Sequence, residues 1–101
     1  MSNFKQQQIR LPKILKGARG APCMMNSQVC NKDPETTVAC HLNYGWAGKG
    51  MSQKAGDHAV FYACSECHRY YDESGGHFPD WALLKAVVRT YEYLFQRGVI
   101  K

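Results

Sequence analysis

The sequence has no apolar run long enough to cross a bilayer, so no membrane association is expected. Met1 to Lys16 carries charge but lacks the apolar stretch of a secretory leader, and the expected compartment is the cytoplasm. There is no internal repeat and no low-complexity domain, which sets aside solenoids and arrays. Acidic residues are missing before Cys23, where Lys5, Arg10, Lys13, Lys16 and Arg19 stand without a single Asp or Glu. Chain is also scarce. With 101 residues one domain is expected, and a core of that size is often marginal without a staple.

Cysteine supplies the candidate staple. There are five: Cys23, Cys30, Cys40, Cys64 and Cys67. In a reducing compartment, an odd count with a Cys-x-x-Cys pair reads as metal or redox chemistry rather than a disulfide framework. Cys64-x-x-Cys67 is a strong half-site, and Cys23 with Cys30 is a looser one. Four thiolates from two distant segments can close a tetrahedral zinc site, and zinc is redox-inert and soft enough for sulfur. Cys40 either competes as a ligand or is a small buried apolar residue. The rival reading of Cys64-x-x-Cys67 is redox chemistry, which calls for a βαβ framework that is not visible here.

The formal charge is +5, from 13 basic and 8 acidic residues. From Cys23 onward the two signs balance, so the basic feature is an arm over residues 1–17, expected to be flexible, followed by a single domain over 18–101. Such an arm suits a phosphate backbone, or it is a solvated tail.

Pro12 is placed to open a short helix through Lys16, ended by Gly17 and Gly20. Glu35 to Leu42 is β-prone, Asn43 to Asp57 is a Gly-rich loop, and His58 to Ala63 is a second extended run. A helix from Ser65 to about Glu73 is entered from the Cys-x-x-Cys turn and broken at Ser74-Gly75-Gly76. A longer helix follows, with Asp80 at its N-cap and Trp81, Leu84, Val88, Tyr91 and Phe95 on an apolar face widened by Val87 and Leu94. Gly98 is the expected stop.

His68 and Asp72 are four residues apart, on one helix face, and can reach one ion together. His41, at the end of the first strand, can take a proton from water near neutral pH. Phosphodiester cleavage needs such a base and a cation. Equally, His68 can replace Cys23 or Cys30 on zinc, and His41 and Asp72 can be surface residues. Lys49, Lys54 and Arg69 flank this region and are candidate phosphate contacts. Trp46 sits in the Gly-rich loop, where it can meet bases or cover the core.

The ordered set Ala18-Arg19-Gly20-x-x-Cys23, Val29-Cys30-Asn31, Pro34-Glu35-Thr36, His41, Asp57, Ala63-Cys64-Ser65-x-Cys67-His68, His77-Phe78 and Gly98-Val99-Ile100-Lys101 resembles the HNH, or His-Me finger, nucleases. More narrowly, it resembles the YbcO-like family of small phage and prophage proteins. The resemblance implies an α+β fold with a ββα-metal core, a four-cysteine zinc knuckle and a covering C-terminal helix. It implies that Cys23, Cys30, Cys64 and Cys67 hold structural zinc and that His41 is the general base. His68 and Asp72 would hold a catalytic magnesium or manganese ion, and Asp57 and His77 would line the site. Cys40 stands where many such sites carry an Asp or His, and the middle Asn of the HNH set is not evident.

The expected function is thus a metal-dependent DNA endonuclease acting inside the bacterial host of a phage or prophage, with branched or recombination DNA as candidate substrates. The alternatives are a non-catalytic zinc-stabilised nucleic-acid-binding module and an adaptor that uses the last helix as a dimer or partner face.

Overall fold

The computed structural model describes residues 8–49, 54–73 and 77–100. Its elements are α1 (Pro12–Lys16), β1 (Val38–His41), β2 (Val60–Ala63), α2 (Ser65–Asp72) and α3 (Asp80–Gln96), with short 3-10 turns at Pro34–Thr36 and Gly45–Ala47. The described residues form a small α+β protein with a two-stranded antiparallel sheet and three helices. No helix among the described residues is long and apolar enough to cross a membrane.

β2 is the centre of the packing. All four of its residues are buried, which matches the unbroken apolar run Val-Phe-Tyr-Ala. Its side chains alternate between two clusters. Phe61 and Ala63 join Cys40, Cys64, Cys67, Tyr71 and Phe78, while Val60 and Tyr62 join Ile14, Ala18 and Leu94. β1 pairs along one edge, with Cys40 opposite Phe61 and His41 opposite Val60. On the other edge the Tyr62 N–H donates to the Thr90 hydroxyl at 2.9 Å, and the Tyr62 carbonyl accepts from the Met24 N–H at 2.9 Å. Neither Tyr62 backbone group is left to compete for a foreign strand. Among the described residues no strand pairs with the outer edge of β1, which forms one wall of a cleft.

The arm expected over residues 1–17 is held against the domain from Gln8 onward. The Gln8 side chain donates to the Lys54 carbonyl at 3.1 Å, and the Asp57 N–H donates to the Ile9 carbonyl at 2.9 Å. The Leu11 N–H donates to Asp57 Oδ2 at 2.8 Å. In α1, Ile14 is buried and its carbonyl takes the Tyr62 hydroxyl. Residues 1–7, including Lys5, lie outside the described residues.

Two expectations about α3 are corrected. The N-cap is Pro79, in extended backbone, and Asp80 opens the first turn. The Asp80 carboxylate is engaged instead by the Tyr44 hydroxyl. The face turned to the sheet is Leu83, Ala86, Thr90 and Leu94, whereas Trp81, Leu84, Val88 and Phe95 point outward. The helix carries two apolar stripes, and the sheet takes the one with small residues at its middle. Ala86 and Thr90 let the helix approach β2 closely enough for the Thr90 hydroxyl to reach Tyr62 while donating to the Ala86 carbonyl. Gly98, at φ +75°, ends the helix as expected.

Candidate metal centre and catalytic cleft

Cys23 and Cys30 lie on the loop between α1 and β1, and Cys64 and Cys67 open α2. Their four sulfurs lie within 4.8 Å of one another. Cys23 Sγ and Cys67 Sγ are 3.7 Å apart. Zinc–sulfur bonds of about 2.3 Å give a tetrahedral edge of about 3.8 Å, so this group fits zinc. Backbone N–H groups point at the sulfurs, from Asn26 to Cys23 (3.3 Å), Lys32 to Cys30 (3.3 Å), and Asn31 and Cys67 to Cys64 (3.4 Å each). The Ser27 hydroxyl lies 3.1 Å from the Cys67 sulfur. Asn26 and Lys32 reach these positions in left-handed backbone, φ +47° and +61°. That conformation costs on the order of 1–2 kcal/mol for a residue with a Cβ.

The thiols are electrostatically unlike one another. Burial pushes Cys67 up to about 12. Burial acts the same way on Cys64, but the N–H groups of Cys67 and Asn31 outweigh it and hold that thiol at about 7. Cys40 stands apart, buried in β1 outside the four-sulfur group, and burial pushes its thiol far above the ordinary range. Of the two readings of Cys40, the small buried residue is the one its position fits.

Asn31 ties this centre to what lies beside it. Its side-chain amide donates to the hydroxyls of Thr36 and Ser65, at 3.1 Å each. The Ser65 N–H in turn donates to Thr36 Oγ1 at 3.2 Å. The start of α2 is thereby fixed against the turn that leads into β1.

A cleft of about 760 Å³ opens along the free edge of β1. It is lined by Thr36, Thr37, Ala39 and His41 on one side and by Ser65, His68 and Asp72 of α2 on another. Lys16, Arg19, Lys49 and Lys54 also line it. His68 Nε2 and Asp72 Oδ2 are 3.7 Å apart and both are partly exposed. Ligand edges around an octahedral magnesium are about 3 Å, so this pair needs less than about 1 Å of closure. It supplies two ligands only. Among the described residues, the four cysteines are the one group of three or more metal-ligating side chains.

His41 is fixed from behind. Its Nε2 lies 2.9 Å from Asp57 Oδ1, and the Asp57 side chain is 4% exposed. Burial pushes the Asp57 carboxyl up, but the hydrogen bonds from His41 and the Leu11 N–H outweigh it and hold it below its ordinary value. An ionised carboxylate only accepts, so Nε2 carries a proton, and in the neutral ring the lone pair is on Nδ1.

The sequence-derived candidates therefore divide. His41, His68, Asp72, Lys49 and Lys54 share the cleft. Asp57 is buried behind His41 rather than lining the cleft. Arg69 pairs with Glu66 at 3.4 Å and His77 is exposed, and neither is among the residues lining the cleft. Lys16 and Arg19, read in the sequence as part of the basic N-terminal feature, are cleft residues. The signal for them was local: both stand shortly before Cys23.

The family model for "Putative nuclease YbcO" matches residues 12–99. Two relatives, each described as a putative nuclease YbcO, come from Escherichia coli K12 and Enterobacteria phage 82. Both are 37% identical over 95 residues, covering 87% of this chain and 96% of theirs. A solved structure of a putative bacteriophage protein from E. coli K-12 superposes with a TM-score of 0.61 at 29% identity, covering 84% of this chain and 99% of that one. With its four cysteines, His41 and the helix of His68 all inside the matched span, this chain belongs to the family described as "Putative nuclease YbcO".

Proposed function

We propose that the protein is a zinc-stapled DNA endonuclease of the HNH, or His-Me finger, type. The observation that carries this reading is the single cleft shared by His41, His68 and Asp72, with His41 anchored by a buried carboxylate. The order β1, β2, α2 supports a ββα-metal core. In this reading Cys23, Cys30, Cys64 and Cys67 hold the structural zinc, which fixes where α2 begins. His68, directly after Cys67, is thereby set at a defined height over β1.

His41 accepts a proton at Nδ1 from the water that attacks the scissile phosphodiester, and Asp57 stabilises the imidazolium that forms. His68 and Asp72 hold a magnesium or manganese ion, which when bound supplies Lewis-acid stabilisation of the charge developing on the phosphate. Lys16, Arg19, Lys49 and Lys54 hold the flanking backbone by charge. The phage and bacterial sources of the relatives support work inside a bacterial cell. The proposed substrate is DNA, as duplex, branched or recombination forms.

One observation favours a second reading. Among the described residues the chain offers the catalytic ion two ligands, with the Cys40 thiol buried elsewhere, which suits a nucleic-acid-binding module without cleavage. Supercoiled, linear and branched DNA incubated with magnesium or manganese separates the two. Metal-dependent cleavage by the wild type, lost in His41→Ala with zinc retained, is the expected result. Salt-sensitive binding with no cleavage of any form leaves the binding module.

A further inference from the structure

We infer that the outward face of α3 is a two-fold interface with a second copy of this chain, the two helices running antiparallel. This stands independently of what the cleft does. Trp81, Leu84, Val88, Tyr91 and Phe95 recur at alternating steps of three and four residues, the spacing that makes the seam of a left-handed helix pair. The other apolar stripe of α3 is already used by the sheet. Trp81, Leu84, Val88 and Phe95 are between 50% and 69% exposed. At its N-terminal end the seam runs into a groove of about 580 Å³, walled by Leu42, Trp46, Trp81, Leu84 and Val87 among others. Continuous apolar surface of this kind marks an interaction site.

Charge selects the occupant and the direction. Lys85 and Glu92 flank the seam on one side, seven residues apart, and both are exposed. An antiparallel pairing that sets Leu84 beside Phe95 of the second copy, and Val88 beside its Tyr91, also sets Lys85 beside its Glu92. The two-fold makes that ion pair twice. It also lays Trp81 over Gly98 of the second copy, which has no side chain to exclude the ring. Sliding by one heptad instead opposes Lys85 to Lys85, a like-charge contact that disfavours the shifted register. A parallel pairing sets Glu92 beside Val87 of the second copy and Lys85 beside its Asp80, whose carboxylate already takes the Tyr44 hydroxyl. The antiparallel arrangement is the one that gives both Lys85 and Glu92 a charged partner.

Sedimentation equilibrium of the full, zinc-loaded chain in reducing buffer, over a wide concentration range, tests this. A wild-type dimer that Val88→Glu converts to monomer is the expected result. Lys85→Glu alone and Glu92→Lys alone should each weaken the dimer about tenfold, and the two together should restore it. Val88, Lys85 and Glu92 are all exposed, and unchanged helix content and zinc stoichiometry show that each variant folds. A wild type that is monomeric at every concentration overturns the interface. A dimer indifferent to Val88→Glu overturns the surface, and failure of the double exchange to restore association overturns the antiparallel register.

Discussion

His41 Nε2 and Asp57 Oδ1 lie 2.9 Å apart, with Asp57 held in turn by the Leu11 N–H at 2.8 Å. The base of the proposed reaction is thus oriented by a carboxylate that also anchors the segment leading into α1. Asp57→Asn removes the charge and can present its amide N–H to the ring, which reverses the preferred tautomer. We expect cleavage to fall about 10²–10³-fold with the fold and zinc content retained, and His41→Ala to fall as far or further. Kinetics on a duplex substrate, with zinc measured on the same samples, checks this.

The same pair makes a pH prediction. The folded Asp57 carboxyl titrates below its ordinary value of 3.8, so its contribution to stability is full above that pH and is lost as pH falls through the lower folded value. The stability advantage of the wild type over Asp57→Asn should therefore shrink below about pH 4. Thermal melts of both proteins across that range measure it, with acid effects on the thiolates common to the two.

Much of this architecture was legible from residue order. Pro12 to Lys16, the strand ending at His41 and the helix entered from Cys64 were each announced by a local device: a proline, a β-branched run, a ligand pair. The orientation of α3 was not. Trp81, Leu84 and Val88 are more apolar than Ala86 and Thr90, so a reading by hydrophobicity chooses the outward face. What decided the matter was close approach and one hydroxyl needed by Tyr62, and both depend on where β2 lies. The family resemblance singled out Asp57 as lining the site, but nothing in the sequence marked it as the partner of His41, because the long loop between them carries no periodic signal. The docking of Gln8 to Leu11 was hidden for the same reason: its partners lie far along the chain, at residues 54–57.

Zinc should be inseparable from folding. Structural zinc contributes roughly 10–16 kcal/mol, more than the net stability of a typical domain of this size. One zinc per chain is expected, and a strong chelator should unfold the protein. Cys23→Ser, Cys30→Ser, Cys64→Ser and Cys67→Ser should each lose the metal. Cys40→Ala should keep it, since that sulfur is outside the group. Elemental analysis with circular dichroism reads both outcomes, and zinc retained by Cys64→Ser would remove that ligand.

Thr90 is a buried polar residue in the middle of a helix, and its hydroxyl serves the edge of the sheet. Thr90→Val keeps the volume and strands the Tyr62 N–H, which should cost about 1–3 kcal/mol. Thr90→Ser should recover most of that loss. Urea unfolding of the three proteins gives the comparison, and a neutral Thr90→Val would mean that the Tyr62 N–H finds another acceptor.

The basic residues around the cleft should be separable from those elsewhere. Lys49 and Lys54 line it, whereas Arg69 is engaged by Glu66 and is not among its lining residues. Deleting a cation that neutralises a phosphate lowers the slope of log affinity against log salt by about one unit. Lys49→Ala and Lys54→Ala should each flatten the slope by about that much, and Arg69→Ala should leave it unchanged. The measurement is duplex binding without added magnesium or manganese, so that cleavage does not deplete the DNA, and without chelator, so that the zinc proposed for the four cysteines is not stripped. Equal flattening by all three substitutions would mean that DNA also tracks over α2, beyond the cleft along β1.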